Sequence, residues 1–324
     1  MNSYANSVAI IGGGVAGMSC ALWLVGLSYQ PIIIEHNERL GGQLQAIKRD
    51  NRWVLGFPNT SSTDLAQIYA NHIANTSVTV CFRSHLNAVV AANDGYLLTI
   101  ATDKGSPCDL AVKALVIATG ARAQGSELLA NIPGFSDTYA AGLISFFPLD
   151  HIEKLADLSG KTVAVIGGGD NAHFTALDLA EADATVHLLI RSTPKARTVL
   201  REKIAKLTAE KRIVEHHATV ISAFSKQTEG LAIELSSNGL PKKSLLVEQV
   251  FGRLGFAANT DFLDEFSAFS NLAKRNGFII TDTGKRTNLP WVYAIGDVSH
   301  SRQQSVVAAL ADGALAAQDF SERM

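Results

Sequence analysis

Residues 8–17 read Val-Ala-Ile-Ile-Gly-Gly-Gly-Val-Ala-Gly, and this stretch decides the fold. The apolar run at 8–11 is typical of a strand that is buried on both faces of a parallel sheet. Gly12, Gly14 and Gly17 then follow with the spacing of a tight turn that opens a helix. The stretch therefore predicts a strand, a glycine turn and a helix in direct succession.

The residues that follow complete a recognisable unit. We expect the helix to cover residues 16–26 and a second strand to cover residues 31–34, with Glu35 closing that strand. In such a unit the helix N-terminus holds a pyrophosphate and the closing carboxylate binds ribose hydroxyls. The unit is thus a predicted dinucleotide site, whose turn residues are Gly12, Gly14, Val15, Ala16 and Gly17.

The same plan returns in the middle of the chain. A strand is predicted at residues 162–166, a helix from the glycine turn to about residue 182, and a strand at 185–190. This strand ends in Arg191 where the first ends in an acid, and an arginine can pair with a 2′-phosphate that an acid would repel. The turn residues of this second predicted dinucleotide site are Gly167, Gly169, Asp170, Asn171 and Ala172, with Ala172 in place of a third glycine.

Further elements fit an α/β protein with two Rossmann-like dinucleotide-binding domains. Apolar or alternating runs predict additional strands at residues 96–100, 114–120, 231–235 and 245–251, and the stretch 291–298 follows near the end of the chain. An alanine-rich helix is predicted over residues 306–320. The second domain is expected to be inserted into a discontinuous first domain.

Composition limits the function classes. The 324 residues are 47% hydrophobic and 18% charged with a net charge of −2, so the chain has no basic field for nucleic acid or an anionic membrane. Five glycines interrupt the apolar segment 8–27, which argues against a membrane span. Cys20, Cys81 and Cys108 are too few and too far apart for a disulfide framework, which favours a reducing cytoplasm.

The chain resembles the low-molecular-weight thioredoxin reductase-like flavoproteins over nearly its full length. The matching pieces are the turn at Gly12, Glu35, Gly41-Gly42-Gln43-Leu44, Ala118-Thr119-Gly120, the turn at Gly167, Gly255 through Asn259-Thr260, Gly296-Asp297-Val298 and Arg302-Gln303. The resemblance implies FAD at the first site and a nicotinamide dinucleotide at the second. It also implies a homodimer.

The resemblance assigns residues and domains to each cofactor. Beyond the first turn, the FAD residues it implies are Glu35, His36, Gly42, Gln43, Leu44, Ala118, Thr119, Gly120, Gly296, Asp297, Arg302 and Gln303. The FAD-binding domain would comprise residues 1–118 and 253–324, and the NAD(P)H-binding domain residues 119–252. In the family's 2′-phosphate clamp Arg191 matches one arginine, Ser192 stands in place of the second, and Arg197 is displaced by one residue. Together with Lys195 these residues could still form a phosphate pocket, so NADPH is favoured and NADH stays open.

One departure from the family bears on the electron acceptor. Thioredoxin reductases carry a Cys-x-x-Cys before the second unit, and this chain has Phe146 and Leu149 at those positions. Without that dithiol, the chain is similar to the ferredoxin or flavodoxin NADP reductases of the same branch. Gly56-Phe57-Pro58 and the Gly167-Gly168-Gly169-Asp170 form of the second turn also match that subgroup.

The expected function is FAD-dependent NAD(P)H oxidoreduction with an external acceptor. Nicotinamide would give hydride to the flavin, and ferredoxin or flavodoxin would receive the electrons. No side chain is assigned as a catalytic acid or base. Two alternatives stay open: disulfide reduction through acceptor thiols or a distant cysteine pair, and a non-catalytic nucleotide-binding sensor.

Overall fold

The computed structural model describes residues 6–47, 50–103, 105–147, 149–237, 243–300 and 304–324. The chain divides into two compact units, one made of Met1–Arg122 with Ala257–Met324 and the other of Ala123–Phe256. The second unit is therefore an insertion in the first. The chain passes from one unit to the other after residues 122 and 256, whereas the sequence predicts domain boundaries after residues 118 and 252.

The elements of both units are numbered in chain order. The strands are β1 (Ser7–Ile11), β2 (Gln30–Ile34), β3 (Asp50–Asn51), β4 (Thr60–Ser61), β5 (Thr79–Cys81), β6 (Ser84–Ala92), β7 (Gly95–Thr102), β8 (Gly105–Val112), β9 (Ala114–Ile117), β10 (Ala121–Ala123), β11 (Ile144–Ser145), β12 (Thr162–Ile166), β13 (Thr185–Ile190), β14 (Ile213–His217), β15 (Thr219–Lys226), β16 (Leu231–Ser237), β17 (Lys243–Val247), β18 (Gln249–Gly252), β19 (Phe256–Ala258), β20 (Lys274–Arg275), β21 (Phe278–Ile279) and β22 (Val292–Ala294). The α-helices are α1 (Val15–Gly26), α2 (Ser62–Ala74), α3 (Ser126–Leu129), α4 (Phe135–Ala140), α5 (Leu155–Leu158), α6 (Asp170–Glu181), α7 (Thr198–Ala209) and α8 (Val306–Arg323). Short 3₁₀-helices cover Gly42–Gln45, Ile152–Lys154, Asp261–Glu265, Ser267–Phe269 and Gly296–Val298.

The first unit is built on a parallel sheet with strand order β22-β9-β1-β2-β5. Its central strand β1 is buried on both faces, with Val8 and Ile10 in one core and Ala9 and Ile11 in the other. Helices α1 and α8 contribute to the first core, and the antiparallel sheet β6-β7-β8 contributes to the second. The continuous apolar run at residues 8–11 follows from this double burial.

The second unit repeats the plan. Its parallel sheet has the order β11-β18-β12-β13-β14. Helices α6 and α7 pack on one face, and the antiparallel sheet β15-β16-β17 packs on the other. Two parallel sheets, each carrying a glycine turn and covered by helices, confirm the predicted α/β class.

The predicted strand at residues 245–251 is two strands in the structure. It is divided at Glu248 into β17, which pairs antiparallel with β16, and β18, which pairs parallel with β12. The chain must change direction there because the two strands belong to different sheets. The predicted run 114–120 is also shorter, since β9 ends at Ile117.

The apolar segment 8–27 is divided between β1, the glycine turn and α1. Within the described residues, no helix combines the length and apolar character that crossing a membrane requires.

Helices α1 and α8 approach each other closely at Gly313. A methyl group at this position would lie 2.6 Å from the Cys20 amide nitrogen and 2.7 Å from the Ala16 carbonyl oxygen. Both are backbone atoms, so relief requires a shift of a whole helix. Glycine at residue 313 thus sets the spacing of the two helices that cover the first sheet.

We expect Gly313→Ala to lower the free energy of unfolding by about 1–3 kcal/mol, the usual cost of overpacking a core. Gly26→Ala is the matched control, because no atom lies within 4 Å of the added methyl at this helix end. Thermal and denaturant unfolding of both variants check the expectation. Equal stability of Gly313→Ala and the wild type would contradict the packing constraint.

Candidate functional site

The first glycine turn brings three chain segments into backbone contact. Gly12 has a φ of +108°, and a methyl group on it would lie 2.5 Å from the carbonyl oxygen of Ala118. A methyl on Gly17, in the first turn of α1, would collide with the carbonyl oxygen of Gly12. The turn therefore packs directly on the end of β9, and at the N-terminus of α1 a methyl on Gly14 would meet only the Gly42 Cα, at 3.9 Å.

Glu35 is fixed against this turn by three donors. Its Oε2 accepts the Gly13 amide at 2.7 Å, while its Oε1 accepts the Asn37 amide at 2.7 Å and Asn37 Nδ2 at 2.8 Å. Glu35 is only 5% exposed, although the neighbouring His36 is exposed. A carboxylate has about four acceptor sites, so capacity remains for one ribose hydroxyl.

The Gly42–Gln45 helix lies against the same turn. The Gly41 amide donates to the Gly13 carbonyl at 2.9 Å, and a methyl on Gly42 would lie 3.0 Å from the Gly14 Cα. Leu44 is buried in the core beneath. This second close approach keeps the space beside the N-terminus of α1 free of side chains.

Two more segments join through side-chain hydrogen bonds. Gln43 Nε2 donates to the Ala121 carbonyl and to Asp297 Oδ2, both at 3.0 Å. Thr119 Oγ1 donates to the Asn259 carbonyl at 2.7 Å, and the Asn259 amide donates to the Gly120 carbonyl at 2.9 Å. The segments from the Gly12, Gln43, Thr119 and Asp297 regions thus form one continuous surface in the first unit.

Asp297 is the most perturbed acid of this surface. Burial raises its pKa to about 6, against the opposing effects of the His300 charge and the Gln43 hydrogen bond. The protonated carboxyl is therefore stabilised relative to the carboxylate at this position.

Asp312 of α8 holds the turn before Asp297. Its Oδ2 accepts the Gly296 amide at 2.9 Å and lies 2.8 Å from His300 Nε2. The same buried carboxylate pairs with Lys285 at 2.7 Å. Sequence reasoning missed Asp312, because it lies within an apolar helix pattern.

The residues predicted to lie beside a flavin are described only in part. Arg302 and Gln303 lie outside the described residues. Gln304 follows them, and its Nε2 is buried without an acceptor among the residues that the structure describes. A polar atom in that state fits a site whose ligand supplies the missing partner.

The second glycine turn is formed by the same rules. Gly167 has a φ of +143°, and a methyl on it would collide with the Arg253 carbonyl. Ala172 is fully buried in α6, which shows that a methyl is accommodated where the fingerprint has its third glycine. A methyl on Gly169 would meet no atom within 4 Å, and Asn171 is exposed, so the helix N-terminus is open.

The segment after β13 folds back onto this turn. The amides of Lys195 and Ala196 donate to the Gly168 carbonyl at 2.7 and 3.1 Å. Arg197 is bound to Asp170, whereas Arg191 and Ser192 are exposed at the end of β13. The structure therefore brings the residues of the predicted 2′-phosphate clamp beside the second turn, and one of them, Arg197, is paired with Asp170.

Arg253 forms part of this site, although the sequence prediction placed it at the start of the second FAD-domain segment. It is 7% exposed, with Nε donating to Thr175 Oγ1 at 3.0 Å and a terminal nitrogen donating to Asp150 Oδ1 at 2.7 Å. Burial lowers its pKa, and Asp150 opposes that shift. Its carbonyl frames Gly167, so this buried cation ties the second turn to α6. The only sequence signal was an arginine directly after the apolar residues of β18.

The positions where a dithiol was considered hold apolar groups. The Phe146 ring is buried, and a methyl on Gly125 or Gly252 would collide with it. Leu149 adopts a φ of +69°.

The three cysteines lie in the first unit. Burial raises the pKa of Cys20 to about 12. The pKa of Cys81 is raised by burial and then by the nearby Cys108, so the fold brings these two within electrostatic range.

Comparison with known proteins gives curated relatives at modest identity. A subunit of the alkyl hydroperoxide reductase of Pseudomonas aeruginosa is 30% identical over 312 residues, which is 95% of this chain and 56% of the relative. An Oenococcus oeni ferredoxin–NADP reductase is 26% identical, over 94% of this chain and 86% of its own. The chain spans little more than half the length of the first of these relatives.

A solved structure and a family model agree with the architecture. A thioredoxin reductase of Lactococcus lactis superposes with a TM-score of 0.79 and 22% identity, covering 98% of this chain and all of the other, which supports the fold. The model of the pyridine nucleotide-disulphide oxidoreductases matches residues 6–313. With two glycine turns on two parallel sheets and this match, the chain belongs to the pyridine nucleotide-disulphide oxidoreductase family.

Proposed function

We propose that the protein is an FAD-dependent NAD(P)H oxidoreductase that passes electrons to an external protein acceptor. The carrying observation is the pair of open helix N-termini, each behind its own glycine turn, with opposite charges beside them. Glu35 lies at the first turn and Arg191 follows the strand at the second. An acid suits a ribose and a cation suits a 2′-phosphate, so the two sites are matched to different dinucleotides.

The residues of the first unit fit FAD. The N-terminus of α1 would hold the pyrophosphate, Glu35 the adenosine ribose, and Asp297 the ribitol end. Two observations support the fit, since Asp297 is a partly buried acid with a raised pKa and Gln304 has a buried amide without a described acceptor. Bound there, FAD would supply the hydride-accepting and electron-donating chemistry. The side chains bind and orient it.

The second unit is proposed as the NAD(P)H-binding domain. Its helix N-terminus at Gly169 is unobstructed, and Arg191, Ser192 and Arg197 lie in the segment beside it. The exposed guanidinium of Arg191 favours NADPH over NADH. The assignment of FAD to the first unit and nicotinamide to the second, and a homodimeric assembly, stay predictions.

The proposed acceptor is ferredoxin or flavodoxin. The chain has no Cys-x-x-Cys, and Phe146 is packed where a dithiol would stand. A relative named ferredoxin–NADP reductase covers nearly the whole chain. Electrons would therefore leave from the flavin itself and not from an internal dithiol.

Anaerobic mixing with NADPH and with NADH tests the proposal. We expect either nucleotide to bleach the flavin absorbance, with NADPH more efficient, and ferredoxin or flavodoxin to restore it. Thioredoxin and oxygen serve as comparison acceptors. Protein that stays colourless after FAD reconstitution would contradict the flavin assignment, and a flavin that neither nucleotide bleaches would support the sensor alternative.

Disulfide reduction is a second candidate. Cys81 is half-buried and Cys108 exposed, and burial and the charge of Cys108 both raise the pKa of Cys81. A raised pKa disfavours the thiolate that thiol exchange requires, so reduction through the acceptor's own thiols is the more favourable form of this candidate. Thioredoxin-selective reoxidation of the flavin would move this candidate ahead of the ferredoxin proposal.

Replacement of Cys20, Cys81 and Cys108 together by Ser separates the routes. We expect turnover with every acceptor to remain within about twofold of the wild type, because the flavin delivers electrons directly. Steady-state rates with each acceptor give the answer. Loss of disulfide reduction alone would establish the internal cysteine route, and Cys20→Ser serves as the control for the buried position.

Asp297 predicts a pH-dependent stability. Its pKa of about 6 lies above the ordinary value of 3.8, so the native state binds this proton more tightly than the unfolded state. The folded state therefore loses stability as pH rises from about 4 to about 6, and the loss is complete above that range. Asp297→Asn removes this titration, so we compare its free energy of unfolding with that of the wild type, without added flavin. We expect the variant's free energy minus that of the wild type to be about 1–2 kcal/mol more favourable at pH 8 than at pH 5.

Denaturant unfolding at both pH values measures this difference. Asp109→Asn is the control, because Asp109 is exposed on β8. A constant difference between the Asp297→Asn variant and the wild type across this range would show that Asp297 is not an energetically strained acid.

A further inference from the structure

Asp170 places a negative charge at the second nucleotide site. It is the first residue of α6, directly after the open Gly169, where the helix N-terminus would receive a pyrophosphate. An unpaired acid at this place would repel the pyrophosphate of either nicotinamide coenzyme. The site therefore needs a positive charge that compensates Asp170.

Arg197 is the counterion of this acid. Asp170 Oδ1 accepts the Arg197 amide at 2.9 Å, and Asp170 Oδ2 pairs with Arg197 Nε at 2.7 Å. The guanidinium also lies over the Phe174 ring of α6, 5.8 Å from its centroid. Both the backbone amide and the guanidinium of Arg197 thus contact α6, the helix that begins at the second glycine turn.

The two neighbouring cations of this segment differ from Arg197 in their exposure and pairing. Arg191 and Lys195 are exposed, and no carboxylate lies within ion-pair distance of either among the described residues. The Lys195 and Ala196 amides hold their segment to the Gly168 carbonyl. The segment is therefore anchored at Arg197 and Gly168, while Arg191 stays available at the strand end.

We propose that Arg197 positions the second site by neutralising Asp170 beside the pyrophosphate, whereas Arg191 keeps the 2′-phosphate role that the proposed function already gives it. This inference rests on the proposed function of the second unit. It gives Arg197 a role that the two coenzymes share, since both contain the pyrophosphate. Only Arg191 then senses the 2′-phosphate.

The proposal predicts different patterns for two arginines of one segment. Arg197→Ala should weaken NADP⁺ and NAD⁺ binding equally, by about tenfold, because Asp170 is left unpaired. Arg191→Ala should weaken NADP⁺ binding by about tenfold and change NAD⁺ binding by less than about twofold. Calorimetric titration of the flavin-loaded protein measures each dissociation constant without turnover.

A second substitution distinguishes charge from structure. In the Arg197→Ala background, Asp170→Asn should restore both dissociation constants to within about threefold of the wild type, because the uncompensated charge is gone. A merely structural role of Arg197 would not be rescued by removing its partner. Arg201→Ala, an exposed cation of α7 four residues further on, is the matched control and should leave both constants unchanged.

Three outcomes would overturn the proposal. They are a selective loss of NADP⁺ binding in Arg197→Ala, an absence of rescue by Asp170→Asn, and equal losses of both nucleotides in Arg191→Ala. Failure of both nucleotides to bind the wild type would show that the second turn is not a nicotinamide-nucleotide site. Binding without flavin reduction would contradict the proposed function and leave the roles of Arg197 and Arg191 in place.

Discussion

Backbone approaches backbone at Gly12, and the geometry of the first unit depends on that approach. The turn can lie against the Ala118 carbonyl only because residue 12 carries no side chain. Once it lies there, the Gly13 amide reaches the Glu35 carboxylate and the Gly13 carbonyl accepts the Gly41 amide. Segments separated by over a hundred residues in the chain therefore meet at one helix N-terminus.

The second unit uses the same constraint with a different electrostatic solution. Gly167 lies against the Arg253 carbonyl as Gly12 lies against that of Ala118. In the first unit the Glu35 carboxylate is buried and accepts two backbone amides. In the second, Asp170 is part of the helix N-terminus and needs a cation of its own. Similar turns thus offer very different fields to a bound phosphate.

Local patterns were enough to predict the elements that carry the turns, but not the groups held by long-range contacts. The strands at 162–166 and 185–190 match β12 and β13, because their apolar runs are buried on both faces. By contrast, Arg253 pairs with Asp150, which is 103 residues away in the chain. Asp312 of α8 likewise binds three residues from outside its helix, Gly296, His300 and Lys285. No spacing rule connects such residues, because the fold alone brings them together.

The Phe146 ring has an evolutionary consequence. It fills the space that Gly125 and Gly252 leave open, so the three residues form a mutually dependent set. A cysteine at residue 146 would empty that space, at a cost of about 3–5 kcal/mol if it resembles other deletions of buried aromatic rings. Larger residues at 125 or 252 could refill the space only after the ring is gone, since they collide with it while it is present. A Cys-x-x-Cys at residues 146 and 149 would therefore need a change of packing as well as two new thiols.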